Sequence, residues 1–80
     1  MRIDKYLKIT RLIKRRTVAN EACDASRIYV NGKVVKASYE VKIGDVISIN
    51  LGGRELKVQV LEIKEHALKG DVSLLYSYVE

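Results

Sequence analysis

Eighty residues, 48% apolar and 31% charged, make one small globular domain with a thin core, because a chain this short buries only about 60–65% of the surface its unfolded form exposes. The lone Cys23 excludes an intramolecular disulfide and a thiolate metal cage, and no apolar run approaches the roughly 18 residues of a membrane span or forms the block of a signal peptide. A cytoplasmic location is therefore the expectation. The net charge of +5 is concentrated at one end: Arg2, Lys5, Lys8, Arg11, Lys14, Arg15 and Arg16 face only Asp4 within the first sixteen positions, whereas residues 17–80 carry a slight acidic excess. A cationic element backed by a near-neutral domain is the footprint of a protein that docks on a polyanion.

In chain order, residues 3–13 read as an amphipathic helix. Ile3, Tyr6, Leu7, Ile9 and Ile13 fall on one side, and Lys5, Lys8, Arg11 and Arg15 on the other. Asp4 suits the positive end of the helix dipole. After a turn through Lys14 and Arg15, the spacing of Val18, Ala19, Ala22 and Cys23 predicts a second helix over 16–25 with a small-residue face for close packing. The period then becomes strand-like over 27–64. Asn31-Gly32 between Ile28–Val30 and Val34–Val35 predicts a tight hairpin, since both turn positions need positive φ. Gly44-Asp45 marks another turn, and Val46–Leu51 reads as a strand with Ile47, Ile49 and Leu51 on one face. Gly52-Gly53 reverses the chain into Leu56, Val58 and Val60. Leu61 and Ile63 have opposite parity, so a bulge or a sheet change is expected near Val60. Residues 71–79 read as a turn and a closing strand through Tyr76 and Tyr78. The expected fold class is α+β: two N-terminal helices packed on a small, mostly antiparallel, twisted sheet of about four or five strands, as one domain over 1–80.

Four segments carry a resemblance: Arg2-Ile3-Asp4-Lys5-Tyr6-Leu7, Arg15-Arg16-Thr17-Val18-Ala19, Val30-Asn31-Gly32-Lys33 and Val41-Lys42-Ile43-Gly44-Asp45-Val46-Ile47. In this order and spacing they resemble the RNA-binding domain named after ribosomal protein S4. Within that family, the stand-alone length and the opening residues are similar to the small bacterial ribosome quality-control factors, which are related to the ribosome-binding heat-shock proteins of proteobacteria. The resemblance implies an RNA-binding domain with contacts at Arg2 and Arg16. Its partners would be large-subunit ribosomal RNA, peptidyl-site tRNA and an alanine-tailing quality-control factor on the same subunit, with the protein a monomer. One departure is Ser26, where the family places Gly; a left-handed cap there would strain a side chain and distort the exit from helix two.

The candidate RNA-binding residues are Arg2, Lys5, Lys8, Arg11, Lys14, Arg15, Arg16, Lys33 and Lys36. Each cation on the first helix can displace counterions from phosphate; the alternative is a solvated helix face. Arg15-Arg16-Thr17 opens helix two, where free N–H groups favour an anion and Arg16 adds a bidentate donor. For Arg2 and Arg16 the structural alternative is a salt bridge to Asp4 or Asp24, and Asp4 itself reads as a cap or an aligner of the arginines. Lys33 and Lys36 flank the hairpin tip, whose Asn31 and Gly32 are required by the turn. Tyr6 and Tyr29 are expected in the core and Tyr76 and Tyr78 in the sheet, leaving Tyr39 open as a base-stacking side chain. His66 reads as a surface residue and Cys23 as a small buried hydrophobe. No nucleophile elbow, phosphate-cradling Gly loop, paired carboxylates, metal set or cofactor motif is present, so a non-catalytic binding protein is expected. The rivals are a fragment of an RNA-modifying enzyme, a duplex DNA binder, a general structured-RNA binder or recycling factor of the heat-shock type, and a protein-interaction module using the edge of the Leu56–Val60 strand.

Overall fold

The computed structural model describes residues 1–79. Helices α1 (Ile3–Ile9) and α2 (Arg16–Asp24) precede strands β1 (Ile28–Val30), β2 (Lys33–Val34), β3 (Val46–Leu51) and β4 (Arg54–Val60). A 3-10 helix (Lys69–Leu74) then leads into β5 (Tyr76–Tyr78). The sheet is five-stranded in the order β2-β1-β3-β4-β5, with every pairing antiparallel. The fold class is thus the α+β arrangement expected. Among the described residues no helix is long and apolar enough to cross a membrane.

The two faces of the sheet follow from strand alternation. Val30, Ile47 and Val58 lie side by side, as do Ile28, Ile49 and Leu56, and these rows meet Ile3, Tyr6 and Leu7 of α1 and Ala19, Ala22 and Cys23 of α2 in one core. Small residues on α2 let it approach closely. Tyr29 departs from expectation: it pairs with Val34 and Ser48 on the opposite face and stays half-buried, because its neighbours Ile28 and Val30 occupy the core side. Tyr6 is fully buried, and its hydroxyl donates to the Leu75 carbonyl at 2.8 Å, satisfying both groups and tying α1 to the start of β5.

The first helix ends at Ile9, short of the expected 13. The Thr10 hydroxyl donates back to the Tyr6 carbonyl at 2.8 Å, and Arg11 turns into the left-handed region at φ 61°. Ile13 N–H then reaches the Leu7 carbonyl at 3.1 Å, and its side chain still enters the core. Helix α2 closes without the distortion expected at Ser26. Ser26 takes φ 59°, its N–H meets the Cys23 carbonyl at 3.0 Å, and the Arg27 N–H meets the Ala22 carbonyl at 2.9 Å. This is a complete Schellman cap, so the non-Gly residue bears conformational strain and the geometry stays intact.

At the hairpin, Asn31 Nδ2 donates to Asp45 at 3.2 Å and its Oδ1 accepts from the Val46 N–H at 3.0 Å, so the side chain braces the turn against β3. The parity change near Val60 is a departure from the sheet: the Leu61 and Glu62 N–H groups both turn to the Leu75 carbonyl. Strand β4 is covered by β5 through Val58, Gln59 and Val60, so over these residues it offers no free edge to the protein-interaction rival.

Candidate nucleic-acid interface

The N-terminus of α1 is closed to an anion by the chain itself. The Ile3 N–H bonds the Tyr39 carbonyl at 2.8 Å, the Asp4 N–H the Ala37 carbonyl at 3.4 Å, and the Lys5 N–H the Asp4 Oδ1 at 2.8 Å. Residues 37–41 thus fix where the helix starts. Helix α2 begins at Arg16 with no side-chain cap bond, leaving its first N–H groups beside two arginines.

Between the two helix starts lies Asp4, with only 2% of its side chain exposed. Its Oδ2 receives Arg2 Nη2 at 3.3 Å, Arg16 Nε at 3.4 Å and Asn20 Nδ2 at 3.4 Å. Arg16 and Asn20 stand one helical turn apart on the same face of α2, which is why both reach one carboxylate. Burial would raise the Asp4 carboxyl, but Arg16, Asn20 and the Lys5 amide outweigh it and hold the group below the usual carboxylate range. The two guanidinium groups nevertheless keep 46% side-chain exposure each. The salt-bridge and RNA-contact readings of Arg2 and Arg16 are therefore compatible: one edge of each guanidinium is anchored and the rest faces solvent.

From this point concave surface extends both ways. Arg16 belongs at once to the shallow hollow over Asp4, with Arg2, Thr17 and Asn20, and to a groove of about 780 Å³ lined by Lys5, Lys8, Ile9, Arg11 and Lys14. Arg2 joins the same hollow to a depression that contains Asn20, Ser26 and Lys36. The expected cations are thus gathered into a belt assembled from a short helix, a left-handed turn and the start of α2. Arg15 is exposed beside it, as N-cap of α2. Lys33 stands on β2 opposite Val30, exposed, and lines none of these concavities.

The far wall of the groove was not legible in the sequence. Glu65, His66 and Ala67 come from the irregular chain after β4, and Glu65 forms an ion pair with Lys5. Lys5 holds that exposed carboxyl below its ordinary value. His66 is exposed, as expected. The aromatic side chains contribute little free surface here. Tyr39 is tied through its hydroxyl to Asp45 at 2.9 Å and packs against the core, which answers the opening left for it as a stacking residue. Tyr76 and Tyr78 contact each other edge-to-face at 5.5 Å on β5. Cys23 is buried, and burial, with Asp4 and Asp24 nearby, pushes its thiol up to about 11, away from reactivity.

A cationic belt on two short helices in front of an antiparallel sheet matches a known architecture. The S4 domain model matches residues 1–47. The chain belongs to the S4 domain family. Among its relatives, the RQC P-site tRNA stabilizing factor of Streptococcus pneumoniae is 47% identical over 99% of this chain and 90% of that protein. The protein of the same name from Bacillus subtilis is 44% identical over all of this chain and 93% of its own length. A solved structure of Vibrio cholerae heat shock protein 15, described as trimeric, superposes with a TM-score of 0.90 at 26% identity, covering 99% of this chain and 81% of that one. In this S4 domain the matched segment holds Asp4, the belt cations through Arg16, and the hairpin lysines; the acidic wall at Glu65 lies beyond it.

Proposed function

We propose that this protein binds structured RNA on large ribosomal subunits through the belt centred on Arg2 and Arg16. In this reading it docks on large-subunit ribosomal RNA and on peptidyl-site tRNA of an obstructed subunit and holds the tRNA while a partner factor adds alanine residues to the stalled chain. The observation that carries the reading is the arginine pair anchored on buried Asp4 at the junction of the concave surfaces, in a chain 47% identical to a P-site tRNA stabilizing factor. The work is placement, without bond chemistry. Arg2, Lys5, Lys8, Arg11, Lys14, Arg15 and Arg16 neutralise phosphates, Lys36 extends the belt past Arg2, and Lys33 reaches a second strand from the hairpin. The protein acts as a monomer.

The test is co-sedimentation with large ribosomal subunits. Arg16→Ala and Arg2→Ala each remove a charge-assisted contact worth about 1.5–3 kcal/mol, so each weakens binding about tenfold or more while circular dichroism stays unchanged. Loss of fold in either variant would assign that arginine a structural role instead. The TM-score of 0.90 to heat shock protein 15 favours a second reading, a recycling factor of separated subunits. Preference for empty subunits would support it.

A further inference from the structure

Beyond Leu61 and Glu62, whose N–H groups bond the Leu75 carbonyl, the chain over residues 63–68 runs beside α1 with few ties to the fold. No backbone hydrogen bond is made by the N–H groups of Ile63 through Leu68 among the described residues. Its contact with the groove is the Lys5–Glu65 pair, whose side chains are 35% and 66% exposed, and Ile63 provides the packing against the core. An exposed pair of this kind is weak and readily exchanged. Opposite it, Lys8, Arg11 and Lys14 have no ion-pair partner among the described residues. Ile9 and Ala67 give the groove apolar surface between its charged walls.

We infer that this groove is a channel for an unpaired RNA strand, in which Glu65 occupies a phosphate position and the entering backbone exchanges the Lys5–Glu65 pair for a Lys5–phosphate pair. The inference rests on the RNA-binding reading and deepens it by naming the strand type. A duplex presents its phosphates outward with its bases stacked inside, whereas a single strand offers phosphates and base faces together, which suits a groove lined by cations and by apolar and ring side chains. Lys8, Arg11 and Lys14 then track successive phosphates, while Ile9, Ala67 and the exposed ring of His66 offer surface to a base.

The experiment measures binding of a labelled oligouridine of about eight nucleotides and of large ribosomal subunits by the full chain. Ala67→Trp fills the channel and weakens oligouridine binding about tenfold or more, the scale of a lost base contact. Glu65→Gln removes the competing carboxylate and tightens it by up to about fivefold, the scale of an exposed pair. Glu55→Gln makes the same charge change on β4, where Glu55 faces Lys57, and leaves binding unchanged. Circular dichroism verifies the fold of each variant. Wild-type affinity in Ala67→Trp, or equal effects of Glu65→Gln and Glu55→Gln, would overturn the channel while leaving subunit binding through Arg2 and Arg16 standing. A wild-type chain that binds neither oligouridine nor subunits at low salt would overturn the RNA reading itself.

Discussion

Replacing Asp4 by Asn separates two accounts of the belt that otherwise agree. The substitution keeps the shape and raises the net charge by one unit. If affinity followed charge alone, binding to a polyanion would tighten. In the structure, however, Asp4 Oδ2 receives Arg2, Arg16 and Asn20 at 3.3, 3.4 and 3.4 Å. An amide cannot accept all three, and its own N–H donors are turned toward other donors. Freed of their anchor, two arginines must be ordered on binding, at about 0.5–1.5 kcal/mol each, which amounts to roughly a five- to hundredfold loss of affinity. The buried site also loses stability, by about 2 kcal/mol after discounting for the half-exposed guanidinium groups, which lowers Tm by about 8–16 °C in a domain of this size. The assay is co-sedimentation with large ribosomal subunits at fixed salt, well below the variant's Tm as read by circular dichroism. A folded Asp4→Asn protein that binds as tightly as wild type, or more tightly, refutes the positioning argument.

The other predictions concern the cap, acid stability and salt. Ser26→Gly relieves a left-handed side chain worth about 1–2 kcal/mol and gives back about 0.4–1 kcal/mol in unfolded-chain entropy, for a net gain of about 0.5–1 kcal/mol. Thermal melts should show Tm rising by about 2–8 °C, and a lower Tm would contradict the strain assigned to this cap. Because the folded Asp4 carboxyl lies below its unfolded value of about 3.9, its stabilisation is complete above that pH and disappears as pH falls through the lower folded-state value. Urea titrations between pH 7 and pH 2 should show this loss in wild type and a flatter profile in Asp4→Asn; identical profiles would count against it. Binding through about six phosphates gives a slope of about −4 to −5 for log affinity against log salt. A slope shallower than about −2 is incompatible with phosphate contacts.

The fold was legible where signals are local. The hairpin at Asn31-Gly32 follows from two residues that tolerate positive φ, and both adopt it. The helical faces of Ile3, Tyr6 and Leu7 and of Ala19, Ala22 and Cys23 follow from spacing, although Val18, which the same spacing includes, is exposed. What sequence reasoning missed depended on contacts that spacing does not encode. Helix one stops early where the Thr10 hydroxyl bonds back to the Tyr6 carbonyl and Arg11 takes a positive φ, local departures that a helical pattern continued by Ile13 does not reveal. Tyr29 leaves the core because strand alternation assigns that side to its neighbours. The Asp4 anchor was half visible, since an acid among seven cations invites pairing, yet Asn20 as a third partner was not. The groove wall at Glu65 lies sixty positions from Lys5 in an irregular stretch, where no periodicity points to a partner.

The most direct test is co-sedimentation of the full chain with large ribosomal subunits that are either empty or loaded with peptidyl-tRNA, at low and moderate salt. The account predicts preferential retention on the tRNA-loaded subunit, with both signals falling as salt rises. Equal binding to the two subunits would contradict a role in holding peptidyl-site tRNA, and binding that survives high salt would contradict the phosphate belt on which that role is built.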